Sequence, residues 1–210
     1  ASRGVALHAL RQRHGLVLVM EASPCGSRLV TACRDAIFVW DVETGSLERE
    51  ILAPWEVSPL LLVGVGGGVV VSKHADGVSI WDGHAGDLSL FLATTDRINA
   101  FAMAGDQLLT FTSSEAVVWN MSSGERLRRL EGSGARSVAQ SVAVSVGGEV
   151  VIACLASLSW AGLVSTWTES WDVNTGRRLH TESLPLVNDL GVPTPRCRVS
   201  AGSLRASVSG

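Results

Sequence analysis

A short pattern of a tryptophan, an acidic or amide residue and a glycine occurs four times in this 210-residue chain. The glycine always follows the tryptophan by five residues, and successive tryptophans lie 41, 38 and 52 residues apart. The four copies are Trp40-Asp41 with Gly45, Trp81-Asp82 with Gly86, Trp119-Asn120 with Gly124, and Trp171-Asp172 with Gly176. A fixed internal offset that recurs at intervals of roughly 40 residues predicts a repeat architecture built from one supersecondary unit per copy.

Short apolar segments separated by turn residues surround each copy and predict four strands per unit. In the first three units the second strand begins 11 residues before the tryptophan, so the register is kept where the residues differ. Runs such as Val69-Val70-Val71 are apolar in consecutive positions, which predicts a sheet covered on both faces. Segments such as Leu47-Glu48-Arg49-Glu50 mix charge with leucine, as expected of outer edge strands that must not pair with other chains.

The spacing and the four-strand layout resemble those of the WD-repeat (WD40-like) β-propeller family. The resemblance implies an all-β fold of four-stranded antiparallel blades, with about four complete blades and partial blades at both ends. In that family an aspartate before the third strand joins a buried hydrogen-bonded network with a histidine and the strand tryptophan. Asp35 and Asp76 match this aspartate, whereas Ser114 and Thr166 stand at the equivalent positions of the third and fourth units. The repeats are therefore degenerate.

The predicted organisation follows from placing one tryptophan in each complete blade. We expect the chain to be a segment of a longer propeller, because its first residues look like the last strand of an earlier blade. The predicted boundaries are 1–13 for that strand, 14–53, 54–93, 94–131 and 132–184 for four blades, and 185–210 for the start of another.

The fourth unit carries an insertion near 155–167, because its second strand begins about nine residues further from the tryptophan than in the other units. The insertion is uncharged and contains Trp160 and Trp167. The resemblance implies that this loop lies on a face commonly used for partners, and buried aromatic residues dominate many interfaces. Two interpretations stay open for each tryptophan. It can bind a partner, or it can pack on its own blade in a lengthened hairpin, where Trp167 and Trp171 share a sheet face.

Composition restricts the classes of ligand. A formal net charge of −3 gives no broad positive field for nucleic acid. The apolar run from Leu60 to Val71 is broken by glycines and is shorter than a membrane span, so no span is expected. The four cysteines form no Cys-x-x-Cys pair, which favours buried free thiols in a reducing compartment over a metal site.

No phosphate-binding, nucleophile-elbow or zinc-protease motif is present, so no cofactor, metal or catalytic residue is predicted. We expect a non-catalytic scaffold that binds other proteins, as a subunit of a complex, in the cytoplasm or the nucleus, as the resemblance to WD-repeat proteins implies. Two alternatives are a propeller enzyme with a channel-centred active site and the sensor array of a larger ATPase-containing signalling protein. Because the predicted first strands are almost free of ionisable side chains, the scaffold is favoured.

Overall fold

The computed structural model is an all-β protein whose strands all run antiparallel to their neighbours. It describes residues 8–11, 15–23, 25–52, 63–66, 68–74, 77–132, 137–145, 147–159, 162–184, 196–200 and 203–207. The chain divides into two compact units, Ala1–Ala93 and Thr94–Gly210. Among the residues that the structure describes, none forms a helix that could cross a membrane.

The first unit contains two four-stranded sheets, each with its strands in chain order. Their strands are β1 (Val19–Ala22), β2 (Arg28–Ala32), β3 (Ala36–Asp41), β4 (Leu47–Leu52), β5 (Val63–Gly66), β6 (Val69–Lys73), β7 (Gly77–Asp82) and β8 (Leu88–Ala93). The glycine-broken apolar run from Leu60 to Val71 contains β5 and the first part of β6, which pair with each other.

The second unit contains two further four-stranded sheets and one hairpin, again with sequential neighbours. Its strands are β9 (Ala100–Ala104), β10 (Gln107–Phe111), β11 (Ala116–Asn120), β12 (Arg126–Arg129), β13 (Ser137–Val144), β14 (Val150–Ser159), β15 (Gly162–Asp172), β16 (Arg178–Leu184), β17 (Arg196–Ser200) and β18 (Ser203–Ser207). We call β4, β8, β12 and β16 the outer strands, because each ends its sheet in chain order. The predicted four-stranded layout is thereby confirmed for all four tryptophan-containing units.

Burial on both faces of the first sheet explains its consecutive apolar residues. One face packs against the second sheet in a cluster that joins Val39 and Ile51 to Trp81. The opposite face buries Phe38 and Trp40, whose rings lie 6.2 Å apart between centroids. Since a residue points to the face opposite that of its neighbour, an apolar strand covered on one side only would expose every second side chain.

The chain before β1 differs from the prediction in its described part. The last strand of an earlier blade was predicted within 1–13, of which residues 1–7 and 12–13 lie outside the described residues. His8 to Leu10 are described and are not in a strand. His8 still contacts the first sheet, because its Nε2 lies 2.8 Å from the carbonyl oxygen of Glu43.

Candidate functional site

The four Trp-Asp/Asn-Gly copies form one and the same turn between the third strand and the outer strand of each sheet. In each turn the side-chain Oδ1 of the aspartate or asparagine accepts hydrogen bonds from backbone N–H groups two or three residues later. The bonds are Thr44 N to Asp41 (2.7 Å), His84 N and Ala85 N to Asp82 (2.7 and 2.8 Å), Ser122 N and Ser123 N to Asn120 (both 2.9 Å), and Asn174 N and Thr175 N to Asp172 (2.8 and 2.9 Å). The acidic or amide residue therefore serves the turn, as short polar side chains commonly do.

The glycine of each copy closes the turn. Its N–H donates to the carbonyl of the aspartate or asparagine, and the strand register shifts at the tryptophan. The glycine φ angles are +69° at Gly45, +83° at Gly86, +74° at Gly124 and +74° at Gly176. That left-handed conformation favours glycine, which explains why the offset of five residues is kept in all four copies.

Hydrogen bonding to the charged form lowers the pKa of all three turn aspartates. The backbone N–H of Thr44 is the main cause at Asp41, that of Ala85 at Asp82 and that of Thr175 at Asp172. Since the bonds that lower these pKa values are those that close the turns, the three carboxylates are structural groups of the repeat.

The tryptophan of each copy donates its indole N–H inside the fold. In three sheets the acceptor is a buried or partly buried hydroxyl on the second strand. The distances are 2.9 Å from Trp40 to Thr31, 2.8 Å from Trp81 to Ser72 and 2.8 Å from Trp119 to Thr110. Trp171 instead donates to the backbone carbonyl of Glu131 at 2.9 Å. Because a buried N–H without an acceptor is costly, these bonds help to fix the tryptophans in the core.

The described residues contain parts of the hydrogen-bonded network that the resemblance led us to expect. In the second sheet Ser72 Oγ lies 3.2 Å from His74 Nε2, so the hydroxyl that accepts from Trp81 also contacts a buried histidine. Asp76 lies outside the described residues. In the first sheet Asp35 accepts a hydrogen bond from the Cys33 thiol at 3.2 Å.

The third sheet supplies its carboxylate from another part of the chain, which the sequence analysis missed. Ser114 stands where an aspartate was expected, and its hydroxyl donates a short hydrogen bond to Asp96. Asp96 belongs to the segment before β9. In the fourth sheet Thr166 lies within β15 and is buried, so that position is not in a turn.

The insertion of the fourth unit is paired strand over its described length, not a loop. Pairing continues from Val150 with Asp172 outward to Ser159 with Gly162, with one register shift after Ser157. The flanking strands are also long, so that Ser137 of β13 pairs with Ser157 and Leu184 of β16 pairs with Thr166. The prediction of a protruding loop is therefore wrong for residues 155–159 and 162–167. The described residues instead form the lengthened hairpin of the alternative interpretation, and partner binding by its tryptophans stays a prediction.

Trp167 is half-buried on this hairpin and lies on the same face of β15 as the fully buried Trp171. Its indole N–H donates to Glu169 Oε1 at 3.1 Å, and Arg178 Nη1 lies 3.7 Å from the same oxygen. Glu169 is itself buried, and its Oε2 accepts no hydrogen bond from the part of the chain that the structure describes. Trp160 lies outside the described residues, so its role stays a prediction.

In the described part of the chain, a small cavity lies beside Trp171. Phe111, Glu115, Leu155 and Trp171 line a space of about 10 Å³ for the centre of a water molecule. That volume corresponds to about one water. In the described ranges, no three metal-ligating side chains come together.

The cysteines differ from one another in exposure and in disulfide bonding. Cys25 is exposed and free, and Cys33 is buried and free. Burial raises the pKa of the Cys33 thiol, whereas hydrogen bonds from Ser23 and then Ser27 lower the pKa of the Cys25 thiol to about 7. Cys154 is disulfide-bonded. The prediction of buried free thiols is thus wrong at Cys25 and Cys154 and correct at Cys33.

Comparisons with known proteins show the fold. No protein-family model matches the chain, and no curated protein matches it in sequence. Solved structures do match. They include hydrazine synthase from Kuenenia stuttgartiensis (15% identity, TM-score 0.63, 86% of this chain and 52% of that one). A computationally designed protein, Ika4, has 20% identity and a TM-score of 0.58 over 81% of this chain and 99% of its own.

The Cps50 (Swd1) β-propeller domain of Myceliophteria thermophila has 12% identity and a TM-score of 0.66 over 83% of this chain and 57% of that one. The chain therefore spans about half of the natural proteins named here. Together with the four antiparallel four-stranded sheets, these similarities show that the sheets are propeller blades.

Proposed function

We propose that this chain is a non-catalytic scaffold that binds other proteins, with the lengthened hairpin of the fourth sheet (150–172) as its main partner-binding element. The observation that carries the proposal is the hairpin itself. Its two strands have 10 and 11 residues, whereas the equivalent strands of the other three sheets have 5 or 6. The added residues 155–167 are uncharged and include two tryptophans.

Two long paired strands present partner-binding side chains better than an irregular loop would. Main-chain pairing on both sides holds the added residues in a defined geometry, so less conformational entropy is lost when a partner binds. Trp167 is half-buried and fixed by Glu169. An aromatic side chain that is held in place and partly exposed is typical of the residues that contribute most to protein interfaces.

The non-catalytic part of the proposal rests on the chemistry of the first strands in the second unit. β9 reads Ala-Phe-Ala-Met-Ala and β13 reads Ser-Val-Ala-Gln-Ser-Val-Ala-Val, neither with an ionisable side chain. General acid–base catalysis needs such groups at defined positions. Hydrazine synthase is an enzyme with a similar fold, but at 15% identity the similarity concerns the fold alone.

We also propose that the protein works in the cytoplasm or nucleus as a subunit of a complex. This proposal rests on the resemblance to WD-repeat proteins. The disulfide at Cys154 does not support a reducing compartment, because disulfides are rare in cytosolic proteins. Alkylation of the cysteines in intact cells before lysis, followed by mass spectrometry, tests it. An oxidised Cys154 in most molecules would argue for an oxidising compartment.

Quantitative affinity capture tests the proposed hairpin site. The experiment compares wild type with three variants, Trp160→Ala, Trp167→Ala and the control Leu179→Ala. The melting temperature of each protein is measured before the capture. Leu179 lies on the outer strand of the same sheet and is 54% exposed. The proposal expects that at least one hairpin variant loses a partner that wild type and control retain, with an unchanged melting temperature. If all four proteins capture the same partners equally, the hairpin is not the binding element.

A further inference from the structure

A buried carboxylate on the lengthened hairpin has one oxygen without a hydrogen-bond donor. Glu169 of β15 is 7% exposed and lies two residues from Trp167, so both side chains point to the same face of the sheet. Its Oε1 accepts the indole N–H of Trp167 at 3.1 Å, whereas its Oε2 is shielded from solvent and accepts no hydrogen bond within the described ranges. A buried carboxylate oxygen without a donor is costly, so this atom is a candidate binding atom for a ligand that donates hydrogen bonds.

The charge of Glu169 is compensated only by a loose ion pair. Arg178 Nη1 lies 3.7 Å from Glu169 Oε1, which is too long for a hydrogen bond, and the Arg178 side chain is 46% exposed. Ion pairs with an exposed partner contribute little to stability, because solvent screens the charges and the long side chain loses freedom. Arg178 can therefore leave Glu169 at a small cost in free energy.

Short side chains on the outer strand β16 leave this face of the sheet open beside Glu169. Glu169 pairs with Thr181 and Trp167 pairs with Ser183, and both residues of β16 are exposed. Directly paired residues of antiparallel strands project from the same face, so only these short side chains stand between Glu169, Trp167 and the sheet edge. A side chain of another protein can approach the two residues over β16.

We propose that Trp167 and Glu169 form a binding site for an arginine side chain of the partner protein. This inference rests on the proposed function and names the chemistry that the hairpin recognises. The incoming guanidinium displaces the exposed side chain of Arg178, donates a hydrogen bond to Glu169 Oε2 and packs against the exposed part of the Trp167 ring. The carboxylate then has a donor on both oxygens, and its charge is compensated at hydrogen-bond distance.

Charge complementarity and shape favour arginine as the occupant. Glu169 is the only charged residue between Val150 and Trp171, so the hairpin presents a single negative charge among uncharged residues. A guanidinium is less strongly hydrated than an ammonium group, donates several hydrogen bonds in one plane and stacks on aromatic rings. It therefore suits a site that combines a buried carboxylate with an indole ring. Arg178 supports this choice, because a guanidinium of the chain itself already lies beside Glu169.

NMR titration of the wild-type chain with short peptides tests the site. The probe is acetyl-Gly-Arg-Gly-amide, and the control peptide has citrulline in place of arginine, which keeps the shape of the side chain and removes its charge. The cross-peak of the Trp167 indole N–H, identified with a Trp167→Phe variant, reports on the bond to Glu169. We expect a saturable shift with a roughly millimolar dissociation constant for the arginine peptide and at least roughly tenfold weaker binding of the control. Equal shifts from the two peptides overturn the proposal, and a lysine peptide that binds as tightly overturns the choice of a guanidinium.

Two substitutions should change the affinity for the arginine peptide in opposite directions. Glu169→Gln keeps an oxygen that can accept from Trp167 but removes the charge, so binding should weaken at least roughly tenfold. Arg178→Gln removes the competing guanidinium, so binding should tighten roughly two- to fivefold. Glu182→Gln is the matched control, because Glu182 pairs with Thr168 on the opposite face of the sheet, and it should bind like wild type. An affinity that Glu169→Gln leaves unchanged, or that Arg178→Gln does not raise, overturns the proposal.

Failure of this inference can be told apart from failure of the proposed function. In the affinity capture that tests the hairpin, Glu169→Gln should lose the partner that Trp167→Ala loses. If Glu169→Gln retains that partner and the arginine peptide does not bind, the arginine site is wrong and the hairpin is still the partner-binding element. If the arginine peptide binds but every hairpin variant captures the same partners as wild type, the arginine site is correct and the scaffold proposal is wrong.

Discussion

The indole N–H of Trp171 donates to the backbone carbonyl of Glu131, in the segment that connects β12 to β13. The other three repeat tryptophans donate to a hydroxyl two residues beyond their cross-strand partner on the second strand. Trp171 pairs with Val151, so the corresponding residue of the fourth sheet is Ala153, which has no hydroxyl. The indole is therefore directed to the main chain of the connecting segment.

The hydroxyl acceptors should be worth a measurable part of the stability. Thr110→Val keeps the shape of the side chain but leaves the indole N–H of Trp119 without its 2.8 Å acceptor. Thr110 is buried, so water cannot easily replace the hydroxyl. We expect a loss of about 1–3 kcal/mol in the free energy of unfolding, measured by urea denaturation.

Thr110→Ser is the control, since it keeps the hydroxyl and removes one methyl group. It should cost about 1 kcal/mol through the lost methyl group alone and retain the acceptor. If Thr110→Val is as stable as wild type, the hydrogen bond contributes nothing to stability and the repeat tryptophans are held by packing alone.

The turn glycines are required for space as well as for their conformation. Gly176 has a φ of +74°, and a Cβ placed there would lie 2.8 Å from the carbonyl oxygen of Arg129. Gly105 has a φ of +62° in the β9–β10 turn, with nothing within 4 Å of such a Cβ. Gly105→Ala should cost about 1–2 kcal/mol from the left-handed conformation alone. Gly176→Ala should cost a further 1–3 kcal/mol, approximately, because a backbone atom must move.

Urea denaturation of the two alanine variants under identical conditions measures this difference. Equal losses would show that the approach of Arg129 to the turn adds nothing. They would also show that the glycine of the repeat is needed for its conformation only.

Local features of the fold could be predicted from the sequence because they depend on residues close together in the chain. The five-residue offset from tryptophan to glycine reflects a single turn. In the first sheet, the side chain of Asp41 accepts a hydrogen bond from the backbone N–H of Thr44, three residues later, and the equivalent residues of the other sheets do the same. The long hairpin was harder to predict, since an uncharged run such as residues 155–167 fits either a loop or two buried strands.

Longer-range features could not be read from spacing. The hydroxyl of Ser114 donates to the carboxylate of Asp96, which is 18 residues earlier in the chain. The indole N–H of Trp171 donates to the backbone carbonyl of Glu131, which is 40 residues earlier. The disulfide at Cys154 also depends on tertiary contacts, so the even scatter of cysteines gave no signal for it.

The turn aspartates should make stability depend on pH in the acid range. Their pKa values in the folded chain are lowered by backbone hydrogen bonds. The stabilisation is therefore fully present above the ordinary aspartate pKa of about 3.9, and it is lost as the pH falls through the lower folded values. We expect the urea midpoint to fall steeply below about pH 4 in wild type and less steeply when Asp41, Asp82 and Asp172 are all changed to asparagine.

Asn120 shows that an amide can close the same turn, with two N–H bonds of 2.9 Å, so the triple variant should fold. Asp87→Asn removes one carboxylate next to the turn glycine Gly86 and is the control for lost charge. An unchanged acid dependence in the triple variant would mean that other carboxylates determine it.

The free cysteines should react in a fixed order. Hydrogen bonds from Ser23 and then Ser27 lower the pKa of the exposed Cys25 thiol to about 7, whereas burial raises the pKa of Cys33. Since the thiolate is the nucleophile, iodoacetamide at pH 7 should modify Cys25 first, with Cys33 protected until the chain unfolds. Cys154 should be modified only after reduction of its disulfide. Peptide mapping by mass spectrometry after timed labelling measures all three rates.

Removing the two serine hydroxyls tests the cause of the lowered pKa of Cys25. Ser27 Oγ lies 3.0 Å and Ser23 Oγ 3.4 Å from the Cys25 sulfur. Changing both serines to alanine should raise the pKa of Cys25 toward its ordinary value of about 8.5 and slow labelling at pH 7 roughly five- to tenfold. Ser27→Thr keeps a hydroxyl and should react like wild type. A pH–rate profile that stays centred near 7 in the double alanine variant would show that another group stabilises the thiolate.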